Sequence, residues 1–114
     1  MKRILLSLIL LFFVTFSFSQ VPKYLGYVSD HEKIFTPEEN IELTNFLMNY
    51  EKQTTIEIKV LTIADYDGDI FDFAQETAEK WGIGKKKLDN GMLIVLSKNK
   101  GVLRSWSIIF SSSS

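Results

Sequence analysis

The chain has 114 residues, the length of one small domain, and a formal net charge of −1. With no cysteine and one histidine, His31, it has no disulfide, thiolate zinc site, cysteine nucleophile, lipoprotein anchor or multi-histidine metal centre. Near-neutrality excludes a nucleic-acid partner held by bulk charge.

Lys2 and Arg3 precede an almost wholly apolar run, Ile4 to Phe18, with Ser17 and Ser19 standing two apart at its end. This pattern predicts a secretory signal peptide over residues 1–19, cut between Ser19 and Gln20. The run is shorter than the ~20 residues of a spanning helix. The sequence thus points to export, to a periplasmic or extracellular location.

Asp30-His31-Glu32 contains residue types suited to a metal or acid–base site, and an exposed turn is the simpler reading. Phe35-Thr36-Pro37-Glu38-Glu39 predicts a helix start, because Thr36 caps, Pro37 suits the first helical position and Glu39 completes a capping box. Leu43, Phe46, Leu47 and Tyr50 continue it as one apolar stripe, giving a helix over 37–51.

Ile56-Glu57-Ile58-Lys59-Val60 alternates apolar and charged, which predicts a strand with one wet face. From Val60 to Ile63 the alternation fades, so that end should be covered on both faces. After "DYDGD", a second stripe of Ile70, Phe73, Ala74, Ala78 and Trp81 predicts a helix with Asp69 as cap and Gly82 as stop. Trp81 completes the stripe and reads as core. Met92 to Leu96 reads as a buried central strand.

Between these lies "WGIGKKKLDNG". Its glycines close a helix, and that helix end presents partial negative charge, so a phosphate cradle is disfavoured. Lys85 to Lys87 could meet a membrane phosphate or an anionic partner, but a solvated loop is the plainer reading. A third strand could begin at Val102, although residues 105–114 look like an aberrant, low-complexity tail. Helix, strand, helix, strand predicts an α/β layered sandwich, a mostly parallel sheet with right-handed crossover helices, over residues 20–104.

Four stretches together resemble the TPM domain family of thylakoid lumen and photosystem repair proteins. They are "YVSDHEKIFTPEE", "IEIKVLTI", "DIFDFAQETAEKWGIGKKKLDNG" and "MLIVLS", in that order. The likeness covers roughly residues 24–100. The family pattern continues with a basic strand and a segment like G-Y-G-L-E, whereas here Arg104 leads into Ser105-Trp106-Ser107. The expectation is a family member truncated or frame-shifted near Gly101.

Asp65, Asp67 and Asp69 alternate after a strand, and closely spaced carboxylates suit calcium or magnesium. The loop is no EF-hand: Glu76 falls at position twelve, but position six is Ile70, where glycine is needed. A solvated turn with a capping aspartate is the competing reading. An antiparallel first helix would bring Asp30 towards these residues, outside the strands' carboxyl ends. Asp89 is a rival ligand, because D-N-G belongs to the family's own pattern.

The resemblance implies two functions: a metal-assisted acid phosphatase, or a non-catalytic module that binds a divalent cation and assists a membrane or envelope complex. The second is preferred, since no nucleophile with a base, phosphate cradle or arginine cluster is visible. A truncated product without function is the third reading.

Overall fold

The computed structural model describes residues 21–84, 90–99 and 102–112. The expected signal peptide, the run Lys85–Lys87 and Asp89 lie outside the described residues. In chain order the elements are β1 (Val28–Asp30), α1 (Pro37–Thr54), β2 (Ile56–Ile63), α2 (Ile70–Trp81), β3 (Asn90–Asn99) and β4 (Val102–Ser112). The strands form one sheet in the order β1-β2-β3-β4. The first three are parallel and β4 returns antiparallel on β3. This is the α/β architecture that the sequence pattern predicts.

Local chemistry sets the helix ends. The Thr36 hydroxyl accepts from the Glu39 amide and the Glu39 carboxylate accepts from the Thr36 amide, so both halves of the capping box form. Helix α1 runs three residues past Glu51 and stops where Thr55 turns left-handed at φ 60°. Gly82, at φ 69°, ends α2, its amide donating to the carbonyls of Ala78 and Glu79. Asp69 occupies the cap position of α2 with extended backbone, but its carboxylate makes no capping hydrogen bond.

The two helices lie on opposite faces. Val28, Val60 and Ile94 share a face through the strand register and pack with Leu43 and Leu47 of α1. Leu61, Leu93, Val95 and Ile109 share the other face and pack with Phe73, Ala74 and Ala78 of α2. Two successive parallel crossovers advancing the same way, with helices on opposite faces, have opposite hands. One of them therefore departs from the right-handed rule, correcting the expectation for both. The reason lies in β2, whose Val60, Leu61 and Thr62 are buried on both faces. Two helices on one face would leave the other bare.

Helix α1 also corrects one core residue. Leu47 is buried, but Phe46 is 64% exposed and stacks on Tyr50 instead. Adjacent residues point ~100° apart on a helix, so only one of them faces the sheet.

The expected wet face of β2 is dry: Glu57 is 4% exposed and Lys59 3%. The segment before β1 covers them. Trp81 donates its indole N–H to the Pro22 carbonyl and meets the Tyr24 ring edge-on at 5.1 Å. Lys59 Nζ lies 3.2 Å from the centroid of the Tyr27 ring and 3.5 Å from Glu57 Oε2. Glu57 Oε1 accepts the Gly84 amide at 2.7 Å. Alternation predicted which residues share a face, but a covering segment decides whether that face is wet.

Residues 105–112, expected as a tail, are strand. They pair with Asn90 to Ser97 over the full length of the segment, because the backbone groups of β3 on the side away from β2 need partners. The two glycine motifs meet at this end. A Cβ on Gly91 would stand 2.5 Å from the Gly84 amide nitrogen, and one on Gly84 would stand 2.7 Å from the Ser111 carbonyl oxygen. Three backbones touch here, and only glycine allows it. Gly84 of W-G-I-G and Gly91 of D-N-G thus form a packing joint with Ser111.

Candidate functional site

The carboxyl ends of β1, β2 and β3 form one polar edge. Asp30, the last residue of β1, pairs in register with Thr62 of β2. Asp30 Oδ1 accepts from the Thr62 hydroxyl at 2.6 Å and the Ile34 amide at 3.0 Å, and Oδ2 accepts from the Phe35 amide at 2.9 Å. The carboxylate thus shapes the turn that delivers the chain to α1. Thr62 also accepts from the Glu32 amide at 3.0 Å. His31 is a turn residue whose Nε2 lies 2.9 Å from the Lys23 carbonyl, tying down the covering segment.

Burial acts to raise the Asp30 pKa, but the Thr62 hydroxyl, the Phe35 and Ile34 amides and Lys98 together hold it below its ordinary value. A depressed pKa stabilises the fold above the unfolded value, and that gain is lost as pH falls through the folded one. Asp30→Asn places an NH2 against donors and should cost about 1–3 kcal/mol at neutral pH. Melts of both proteins should draw together as pH falls below the unfolded value of ~3.9, and meet only once pH has passed the lower folded value. Parallel curves at every pH would show that Asp30 does not carry this contribution.

The loop after β2 holds the other aspartates. Asp65, Asp67 and Asp69 are all exposed. Asp65 Oδ1 has one long contact, 3.5 Å from Asn99 Nδ2. Tyr66 turns inward, its ring 5.7 Å from Phe73 and its hydroxyl 2.9 Å from Ser105 Oγ. Ser97 Oγ donates to the Ala64 carbonyl at 3.1 Å, fastening the loop's start to β3. Asp65, Tyr66, Asp67 and Phe73 line a cleft of about 140 Å³. A wider cleft of about 640 Å³ opens at the start of α1, between Asp30, Lys33, Phe35 and Ile41.

The expected approach of Asp30 to the loop is met only in part. Both lie at the same edge, since Asp30 bonds Thr62 close before Asp65. Among the described residues, however, no three His, Cys, Asp or Glu side chains converge as a metal site would need. Asp30 is also occupied: three of its roughly four acceptor directions are filled. Sequence reasoning missed Thr62, Tyr66 and Ser105. Thr62 left one signal, as the single polar residue in the apolar end of β2; Ser105 left none, because its segment read as tail.

Fold and edge define an α/β domain of three layers whose polar groups collect at the strands' carboxyl ends. The family model for the TPM domain, TPM phosphatase, matches residues 28–112, most of the chain. The chain belongs to the TPM domain family. The match runs through Gly101 and takes in β4. No curated protein matches the sequence.

Proposed function

We propose that this chain is an exported, non-catalytic TPM module that assists a membrane or envelope complex through the carboxyl edge of its sheet. The observation that supports this reading is how the polar groups there are engaged. Asp30 holds a turn, His31 the covering segment, and Tyr66 and Ser105 each other. These are architectural tasks, and a hydrolase would need such groups aimed at a substrate.

A divalent cation, calcium or magnesium, belongs to the reading only in a limited form. The described carboxylates do not build a full coordination sphere. The cation would associate weakly with the exposed Asp65, Asp67 and Asp69, with Kd on the order of 10⁻⁴–10⁻³ M as in extracellular calcium modules. At a hundredfold excess over Kd, stabilisation would be about 2.7 kcal/mol, visible in a melt. Asp67→Asn should reduce the shift and Asp89→Asn should leave it nearly intact. If calcium and magnesium at roughly 10–100 mM, the hundredfold excess, both leave the melting temperature unchanged, the cation drops out of the reading.

The family's phosphatase label supports one alternative, a metal-assisted acid phosphatase. Release of phosphate from a generic ester, at acidic and neutral pH with and without divalent ion, separates the two. Turnover that tracks folded protein and is lost in Asp67→Asn would replace the non-catalytic reading.

A further inference from the structure

We infer that β4 is a self-association edge, through which two copies of this chain pair antiparallel about a two-fold axis at Ile108. The inference is independent of the function proposed above.

β4 is the last strand of the sheet, so the edge away from β3 is free of a strand partner among the described residues. Along such an edge alternate N–H and C=O groups point outward, and native edges are usually short, charged, interrupted by proline or covered. β4 is 11 residues long, and from Ser105 to Ser111 it reads Ser-Trp-Ser-Ile-Ile-Phe-Ser, without charge or proline. Ser97 pairs with Ser105 but Lys98 with Leu103, so a one-residue bulge falls at Arg104. It precedes the uncharged segment and leaves that segment regular.

One face of this strand is also bare. Trp106, Ile108 and Phe110 pair with Leu96, Ile94 and Met92, on the face that carries α1. Helix α1 packs over β1 and β2 and leaves this half open. Phe110 is 74% exposed, Trp106 62% and Ile108 40%. The bulge brings Leu103, 55% exposed, onto the same face. The two aromatics alone leave roughly 300 Å² in water, already within the largest patch usual on a monomer.

The strand's own pattern identifies the occupant. A partner must offer apolar residues at alternate positions on one face and small polar ones on the other. About an axis at Ile108, Trp106 of each copy stands opposite Phe110 of the other, and the two Ile108 residues stand opposite each other. Ser105 then faces Ser111 on the reverse side. Residues directly opposite in an antiparallel ladder share a face, so two aromatic pairs flank a central isoleucine pair. A two-fold contact uses up the edge and closes at the dimer. With the backbone edge and these side chains the interface lies in the small, transient class, below about 1,200 Å² in total. The dimer should be weak and reversible.

Sedimentation of the purified chain from micromolar to millimolar concentration should show a monomer–dimer equilibrium that stops at the dimer. Ile108→Lys opposes like charges on the axis and should weaken association more than about tenfold, with a cooperative melt retained. Trp106→Lys or Phe110→Glu alone should also weaken it, and the double variant should recover it, because the axis sets lysine against glutamate. The absence of native cysteine allows a second test that needs no disruptive change. Ile108→Cys should cross-link to dimer under mild oxidation, and Phe46→Cys, exposed on α1, should not. A monomer at every concentration, growth beyond dimer, or equal cross-linking at both positions overturns the proposal.

Discussion

Glu57→Ala should destabilise the domain by about 3–5 kcal/mol, the cost of stranding one member of a buried ion pair. Lys59, 3% exposed, would be left 3.2 Å from the Tyr27 ring centroid with its carboxylate partner gone. The Gly84 amide would lose the oxygen it reaches at 2.7 Å. Both losses fall beside the joint where Gly84, Gly91 and Ser111 touch. Chemical denaturation of the single variants and of Glu57→Ala with Lys59→Met gives the coupling. The double variant should recover part of the loss, since removing both charges also removes their desolvation. A single-variant loss below about 1 kcal/mol would mean that water reaches the pair.

Phe73→Ala should cost about 3–5 kcal/mol. Phe73 is 8% exposed and packs among Leu61, Leu93 and Val95, with Tyr66 tilted against it at 5.7 Å. Its removal opens a cavity between α2 and the sheet and frees the ring that pins the Asp65–Asp69 loop. In a domain whose whole stability is of order 5–15 kcal/mol, that loss brings unfolding within reach of mild heating. Phe71, two residues earlier and 52% exposed, provides the control. Phe71→Ala should stay within about 0.5 kcal/mol of the parent. Equal losses at both positions would place the wrong face of α2 against the sheet.

Much of the carboxyl edge was open to sequence reading, but the tasks of its residues were not. Asp30 and the Asp65–Asp69 loop meet at one edge because parallel strands align their ends, which element order alone implies. That Asp30 already accepts three hydrogen bonds depends on where the Ile34 and Phe35 amides and Thr62 come to rest. A carboxylate that shapes a turn and one that holds a cation are the same letter in a sequence.

By itself the sequence determined what local chemistry controls. The Thr36–Glu39 box and Pro37 set the start of α1, Gly82 the end of α2, the alternation placed strand Ile56–Ile63, and the apolar run Met92–Leu96 marked the centre of a strand that extends over Asn90–Asn99. Each rests on hydrogen bonds or torsions within a few residues, so the information is contiguous. Only the tertiary structure decided the rest. Glu57 and Lys59 alternate like solvent-facing residues, yet a segment some thirty residues earlier in the chain buries them. One helix on each face follows from covering β2 twice, at the cost of a right-handed crossover. The serine-rich end became a strand because the side of β3 away from β2 needed hydrogen-bond partners that no local pattern could reveal.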